Sequence, residues 1–388
     1  MDYRFKLCFC RDIYDHKQND RAFMEAVRRN VDCHLLKCED YRRILESRGF
    51  SREDGKRVTD VGEVPCIPTL FFKYHDLHSM PESAMVVKAT SSGTKGVKSH
   101  IGFDKKSLFF GGIAACRVIA RHGLFSMRPA RYVILGFPPG KDNQTAISKT
   151  QRLSTMFAPA LSRRYALRKG KNGYRPDFKG LMVALRRYSG GRAPVRIIGF
   201  PAYLYFLLKE MERSEIFLRL PRHSMIMVGG GWKQFYKETV DKTELYRLCE
   251  RHLGVSESHF REFFGAVEHP GVYCDCPNHH FHVPATSRVV IRDVDTLEPV
   301  GYGKAGLVNL ISPLVESIPL VSILTDDLGV LHRGCECGCG MEAPYLEIIG
   351  RTGVPDIRTC AAGAGELLKE VGSRQRPHWR SPLSPEPW

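Results

Sequence analysis

Apolar residues in this chain fall into short blocks of two kinds, and their alternation predicts the architecture. Tyr132 to Phe137, Val195 to Phe200 and Ser224 to Val228 are compact runs of apolar, β-branched or aromatic residues that end near Gly or Pro. Such runs read as buried strands. Ala202 to Met211, between the second and third runs, reads as a helix, and Lys242 to Leu253 reads as an amphipathic one. Strand, helix and strand in sequence predict an α/β fold of layered sheets and helices. Upstream, Phe23, Val27, Val31 and Leu35 recur every four residues and predict one buried helical stripe. Pro65 and Pro68 around Cys66 and Ile67 disfavour helix and mark an extended segment. After Glu268 the blocks become Gly- and Pro-punctuated strands, such as Arg288 to Ile291 and Leu320 to Leu324. Ser373 to Trp388 holds four prolines in sixteen residues and predicts disorder.

One stretch departs from these blocks. Ala89 to Ser99 alternates hydroxyls, glycines and lysines with almost nothing apolar to bury. Glycine lets backbone N–H groups approach a ligand, and Ser, Thr and Lys supply donors and charge to phosphate oxygens. Two residues separate Gly93 from Gly96 and no Gly-Lys-Ser/Thr follows, so the stretch is not a Walker loop. A flexible linker shares this composition. Gly229-Gly230-Gly231, followed by Trp232-Lys233, comes at the end of an apolar strand, where glycines leave room for a flat ligand. Phe263 to Val267 ends in Glu268, a carboxylate able to hold Mg²⁺ against ATP oxygens; an exposed strand-end Glu has the same pattern. Thr325-Asp326-Asp327-Leu328-Gly329 places a carboxylate pair at a strand end, either as a turn or as an acceptor for ribose hydroxyls.

In order along the chain, the loop Thr90 to Ser99, Gly229 to Lys233, Val267-Glu268, His282-Val283-Pro284, Leu324 to Gly329 and the Cys337-Gly338 turn resemble the acyl-protein synthetase of the bacterial luminescence fatty-acid reductase complex. That family sits in the phenylacetate–CoA-ligase-like branch of adenylate-forming enzymes. The resemblance runs from about Val64 to Cys360. It implies an adenylate-forming large domain, an acyl-AMP intermediate, and ATP and Mg²⁺ as cofactors. It also implies site residues. Thr90, Ser91, Ser92, Gly93, Thr94, Lys95, Gly96 and Lys98 would surround the phosphates, with Gly229 to Gly231 near adenine, Glu268 at Mg²⁺ and Asp327 at the ribose. Arg351 matches the hinge arginine of the wider superfamily. Cys360 lies where the luminescence family places its acyl-accepting cysteine, and Arg358 favours its thiolate. An ordinary buried cysteine is the alternative.

On this reading the chain divides into a helical accessory region (1–60), an α/β adenylation core (61–268), a strand-rich part with a zinc site (269–350), a hinge with the candidate acyl carrier (351–372) and a tail (373–388). Thirty-seven residues follow Arg351, so the expectation is that the full mobile C-terminal domain and its catalytic lysine are missing. Lys233 is then the candidate for stabilising charge on the α-phosphate. The expected activity is ATP-dependent transfer of a fatty or other apolar acyl group to a thiol. Alternatives are a CoA or carrier-protein ligase and an inactive zinc-bearing interaction protein. An acyl reductase, a carrier protein or CoA is the expected acceptor partner.

Charge and cysteine usage refine the picture. The net charge is +16. Arg163, Arg164, Arg168, Lys169, Lys171, Arg175, Lys179, Arg186, Arg187, Arg192 and Arg196 face a single acid, Asp177, which suits an acidic carrier or a solvated basic face. No aromatic platform interleaves them, so nucleic acid is not an expected partner. Met1 to Asp12 lacks an apolar signal core, and Ser107 to Ala120 is too short to span a bilayer, so a cytoplasmic location is expected. Thirteen cysteines then act as reduced thiols. Cys274 and Cys276, with Cys337 and Cys339, form two C-x-C turns that predict one structural zinc, with His280 or Cys335 as substitutes. His282 is read instead as packing or as orienting the acyl group.

Overall fold

The structure is a computed structural model that describes residues 2–75, 77–90, 100–138, 153–170, 173–231 and 240–351. Two sheets carry it. The first has six strands in the order Tyr273–Cys274, Phe260–Phe264, Met225–Gly229, Val195–Gly199, Ala130–Leu135 and Ala160–Tyr165. All neighbours are parallel except Tyr273–Cys274, which runs antiparallel with Cys274 opposite Phe263. Side chains alternate across a strand, and both faces here are buried. Val133, Leu135, Ile197, Ile226 and Val228 face one core with the helices Phe178–Ser189, Pro201–Arg213 and Lys242–Leu253. Tyr132, Ile134, Ile198 and Met227 face the opposite core with Val118 and Ile119 of the helix Lys105–Arg121.

Local chemistry sets the helix ends. Asp177 and Asp241 accept from the first-turn N–H groups of Gly180 and Thr243, Pro201 opens its helix, and Gly254 closes Lys242–Leu253 at φ +65°. The expected helix Lys242 to Leu253 is thus reproduced to the residue. Lys105–Arg121 is a helix that the apolar pattern did not announce, because Gly111 and Gly112 interrupt it; Asp104 caps its first turn through Lys106 and Ser107 N–H groups.

The second sheet has seven strands. Its path is Phe281–His282, Tyr345–Arg351, Ser322–His332, Ala305–Ile311, Arg288–Arg292 and Pro299–Val300, while Ile67–Pro68 pairs in parallel with the middle strand through Ile67 and Ile323. Ser322–His332 is eleven residues long, so Thr325 to Gly329 lies inside a strand rather than in a turn or at a strand end. Against Ala305–Ile311 the register shifts between Leu307 and Asn309, opposite the stretch that holds the polar pair. Buried Arg292 ties this sheet to the preceding segment: its Nε donates to Asn309 Oδ1 at 2.9 Å and one terminal nitrogen to the carbonyls of Gly62 and Val64.

Phe23, Val27, Val31 and Leu35 lie on the helix His16–Lys37 and are buried, as their spacing predicts. They pack with Ile311, Val315, Ile318, Val321 and Ile323, so the first helices share one core with the seven-stranded sheet. Among the described residues no helix is long and apolar enough to cross a membrane.

His34 is fully buried on that helix, with Nδ1 2.7 Å from Ser79 Oγ and Nε2 3.2 Å from the Val315 carbonyl. Burial drives its pKa down to about 3, the Val315 hydrogen bond countering in part. It stays neutral when folded, whereas the unfolded chain takes up a proton near pH 6.5. Its contribution is therefore intact above about pH 6.5 and is lost as pH falls towards 4, by at most about 1.4 kcal/mol per unit. Replacing it by a side chain that cannot titrate, His34→Gln, is expected to flatten the pH dependence of urea unfolding in this window. A mutant slope equal to the wild-type slope would contradict this assignment.

Candidate active site

The carboxyl ends of the parallel strands in the six-stranded sheet lie along one edge, where open α/β sheets place ligands. Gly229 ends its strand opposite Phe263, and Gly230 and Gly231 follow at φ +81° and +66°. A Cβ on Gly229 would lie 2.8 Å from the Phe263 carbonyl oxygen, so glycine is required there by close approach of the neighbouring strand. Among the described residues no atom comes within 4 Å of the corresponding position on Gly231.

Glu268 leaves the adjacent strand at this edge and is 6% exposed. The alternative reading, an exposed strand-end carboxylate, is thereby removed. His269 beside it is buried and held neutral, its pKa pushed down to about 3, with Nε2 3.1 Å from Tyr273 Oη. Asp327 reaches this region from the other sheet. Its carboxyl is pushed up by burial, an effect that Arg351 opposes and that the charges of Asp326 and Glu268 reinforce. Arg351 is its register partner on the neighbouring strand, with Nε 3.7 Å from Asp327 Oδ1. Thr325 Oγ1 accepts from the Asp327 N–H at 3.2 Å and fixes the backbone there. The result is a buried Glu268 that follows the strand beside the glycine turn and acts on the Asp327–Arg351 pair of the other sheet.

Thr90 ends the hairpin strand Met85–Thr90 opposite His100. Ser91, Ser92, Gly93, Thr94, Lys95, Gly96 and Lys98, together with Lys233 and Cys360, lie outside the described residues.

The cysteine set differs from the expected one. Cys276, Cys337 and Cys339 converge, but the fourth member is His282; their donor atoms all lie within 4.8 Å of one another. Cys274 instead packs with Ile134, Ile198 and Met227, and burial holds its thiol pKa well above the usual value. The cause is local: the strand ends at Cys274, so the i, i+2 alternation that would put both thiols on one side does not extend to Cys276. Cys335 is exposed. His280 Nδ1 lies 3.1 Å from Cys337 Sγ, beside the cluster.

Arg196 is not part of the basic face, since it is buried and donates to the Leu124 carbonyl at 2.7 Å. An open recess lined by Phe125, Met127, Met156, Phe157 and Arg163 lies at the opposite, amino-terminal edge of the same sheet, away from Gly229 and Glu268.

This architecture is that of the adenylate-forming ligases. A 2-hydroxyisobutyryl-CoA ligase in the postadenylation state, bound to 2-HIB-AMP, aligns with a TM-score of 0.64 at 17% identity over 88% of this chain and 69% of that one. The same ligase with 2-HIB-AMP and CoA in its thioester-forming state aligns with a TM-score of 0.62 at 17% identity, over 90% and 71% of the two chains. Within that fold, the chain belongs to the acyl-protein synthetase family, described as acyl-protein synthetase, LuxE, whose profile matches residues 12–368. Its relatives include the long-chain-fatty-acid–luciferin-component ligase of Aliivibrio fischeri, 24% identical over 353 residues, covering 89% of this chain and 88% of the relative. The Vibrio harveyi ligase of the same name is 24% identical over 338 residues, covering 86% and 85%. The resemblance carried by the sequence motifs is thus borne out at the level of family and fold.

The glycine edge yields a test of its own geometry. Gly229→Ala is expected to reduce folding stability by roughly 1–3 kcal/mol through overpacking against Phe263. Gly231→Asn, in open space and with a residue tolerant of positive φ, is expected to cost well under that. Urea titrations of the two variants check the order, and equal losses would show that the strand contact is not the constraint.

Proposed function

We propose that this chain activates a fatty acid as an acyl-AMP and transfers the acyl group to a thiol. The observation that carries the reading is buried Glu268, which follows the strand beside the Gly229 to Gly231 turn and bears electrostatically on Asp327, the partner of Arg351. The family and the ligase fold support it, and the names of the relatives point to long-chain fatty acids.

In this reading the glycine turn lets the adenine ring lie against backbone, and Asp327 accepts from ribose hydroxyls while Arg351 holds its carboxylate in place. Ser91, Ser92, Gly93, Thr94, Lys95, Gly96 and Lys98, with Thr90, supply N–H, hydroxyl and ammonium donors to the phosphates. The acid's carboxylate oxygen attacks the α-phosphorus, and the bond to pyrophosphate breaks. Lys233 neutralises charge developing on the α-phosphate. Glu268 fits a hard divalent cation, because it is a buried carboxylate facing the charge of Asp327 across the edge. Mg²⁺ held there would screen the triphosphate charge. The Cys360 thiolate then attacks the acyl carbon, the bond to AMP breaks, and a thioester forms on the enzyme. From there a reductase, a carrier protein or another thiol takes the acyl group.

A ligase that loads CoA or an acidic carrier directly is the second reading. The side chains of Arg164, Arg175, Arg186, Arg187 and Arg192 on and around the helix Phe178–Ser189 favour it by their charge.

Two outcomes test the mechanism. ATP–pyrophosphate exchange is expected with ATP, Mg²⁺ and a long-chain acid in the absence of CoA, and Glu268→Gln is expected to reduce it by about two orders of magnitude or more. Exchange that no acid supports, or that ignores the substitution, removes the assignment. For the acyl carrier, Cys360→Ser is expected to retain exchange and to lose the hydroxylamine-sensitive label left by radioactive acid and ATP. A label that persists in this variant assigns the carrier elsewhere, and a product found on CoA or carrier alone favours the second reading.

A further inference from the structure

Three thiols and one imidazole meet at the junction of the two sheets, away from the glycine edge. Cys276 follows Tyr273–Cys274, the outer strand of the six-stranded sheet, and His282 lies on Phe281–His282, the outer strand of the seven-stranded one. Cys337 and Cys339 come from the turn between Ser322–His332 and Tyr345–Arg351. We propose that Cys276, His282, Cys337 and Cys339 bind one structural zinc ion, which fastens these elements together.

The four donor atoms lie within 4.8 Å of one another, close enough to share one tetrahedral ion. Zinc–sulfur bonds of about 2.3 Å and zinc–nitrogen bonds of about 2.0 Å place sulfur pairs about 3.8 Å apart and sulfur–nitrogen pairs about 3.5 Å apart. Cys276 Sγ and Cys337 Sγ are 3.5 Å apart, and Cys339 Sγ is 3.1 Å from His282 Nε2. These two pairs are within a few tenths of an ångström of the zinc-bound spacings.

The surroundings prepare each ligand. His282 Nδ1 is 2.7 Å from the Ala343 carbonyl, so its proton is on that side and the Nε2 lone pair faces the thiols. The Asn278 N–H points at Cys276 Sγ at 3.3 Å, and Asn278 Nδ2 donates to the Cys337 carbonyl at 2.7 Å, which joins the two turns. Gly338 at φ +73° allows the Cys337-Gly338-Cys339 turn to present both sulfurs to one point. His280 Nδ1 lies 3.1 Å from Cys337 Sγ and its ring stacks on Tyr345 at 4.2 Å between centroids. Below, the buried Asp275 carboxylate accepts the Glu262 N–H at 2.8 Å and pairs with His279 Nδ1 at 2.7 Å, fixing the first turn.

A soft donor set of three sulfurs and one imidazole selects zinc over magnesium or calcium. Four protein ligands close the coordination sphere, which leaves no position for a reactive water and makes the role structural. The inference is independent of the acyl-transfer reading.

Protein purified without chelator from zinc-supplemented cells is expected to contain about one zinc per chain by plasma mass spectrometry, with X-ray absorption at the zinc edge showing three sulfurs near 2.3 Å and one nitrogen near 2.0 Å. His282→Ala and Cys339→Ser are expected to reduce the content to less than about a fifth, and Cys274→Ala and Cys335→Ser to leave it unchanged. The absorption measurement needs only the wild-type protein, so it decides the matter even where a variant fails to fold. A four-sulfur shell, a Cys276–Cys337 disulfide in metal-free wild type, or zinc that survives His282→Ala in folded protein overturns the proposal.

Discussion

Like charge brought together out of water is the constraint on which the face between the sheets depends. Asp327 comes from the mixed sheet and feels the charge of Glu268, which follows the last parallel strand, in a place with little solvent. An ionised Asp327 so placed meets like charge and loses hydration, and both effects favour its protonation unless positive charge is supplied. Arg351 supplies some of it at 3.7 Å. A surface that keeps two acids and one guanidinium in this relation is prepared for a ligand that brings hydroxyls and cations, and poorly prepared for a bare anion. That asymmetry is what an adenine nucleotide accompanied by a divalent cation satisfies, whereas a free phosphate at the same point would add repulsion.

The scaffold holds this relation because its apolar cores leave little slack. Alternate residues of the parallel strands are committed to two different helical layers, and a one-residue slip would exchange the buried sets. Gly229 sits where the fit is tightest, with its neighbour's carbonyl occupying the space a side chain would need. The amino-terminal helices, through Val27, Val31 and Leu35, press on the mixed sheet beneath Ile311 and Ile323. Packing of this density transmits position, so the strand ends that carry Gly229, Glu268 and Asp327 are set by contacts far from them.

What the sequence made legible follows from how locally each feature is encoded. The three central parallel strands, Ala130–Leu135, Val195–Gly199 and Met225–Gly229, were readable because they are buried and mostly apolar, whereas Ala160–Tyr165, with Ser162, Arg163 and Arg164, was not. Lys242–Leu253 was readable because its caps and stripe agree. Ser322–His332 was read short because Asp326 and Asp327 look like turn residues, and only pairing with Tyr345–Arg351 keeps them extended. Phe178–Ser189 was obscured by its own basic residues, although Leu181, Met182 and Leu185 form a buried stripe. Two thiol turns were visible as a metal pattern, but the choice between Cys274 and His282 depends on where a two-residue strand ends. That is a tertiary fact, and the Cys276-to-His282 spacing was the available hint. Arg196 was counted with the basic face because charge alone does not tell burial.

One element joins the two chemical regions. Tyr345–Arg351 begins beside the thiol cluster, where Tyr345 stacks on His280 and His332, and ends at Arg351 opposite Asp327. Its seven residues span roughly 20 Å as a strand. Hydrogen-bonded to Ser322–His332 along that length, it behaves as a stiff rod and not as a loop, apart from the register shift near Gly329. One ladder thus carries both the tyrosine that packs on the thiol cluster and the guanidinium that offsets Asp327, and the two regions share a single register.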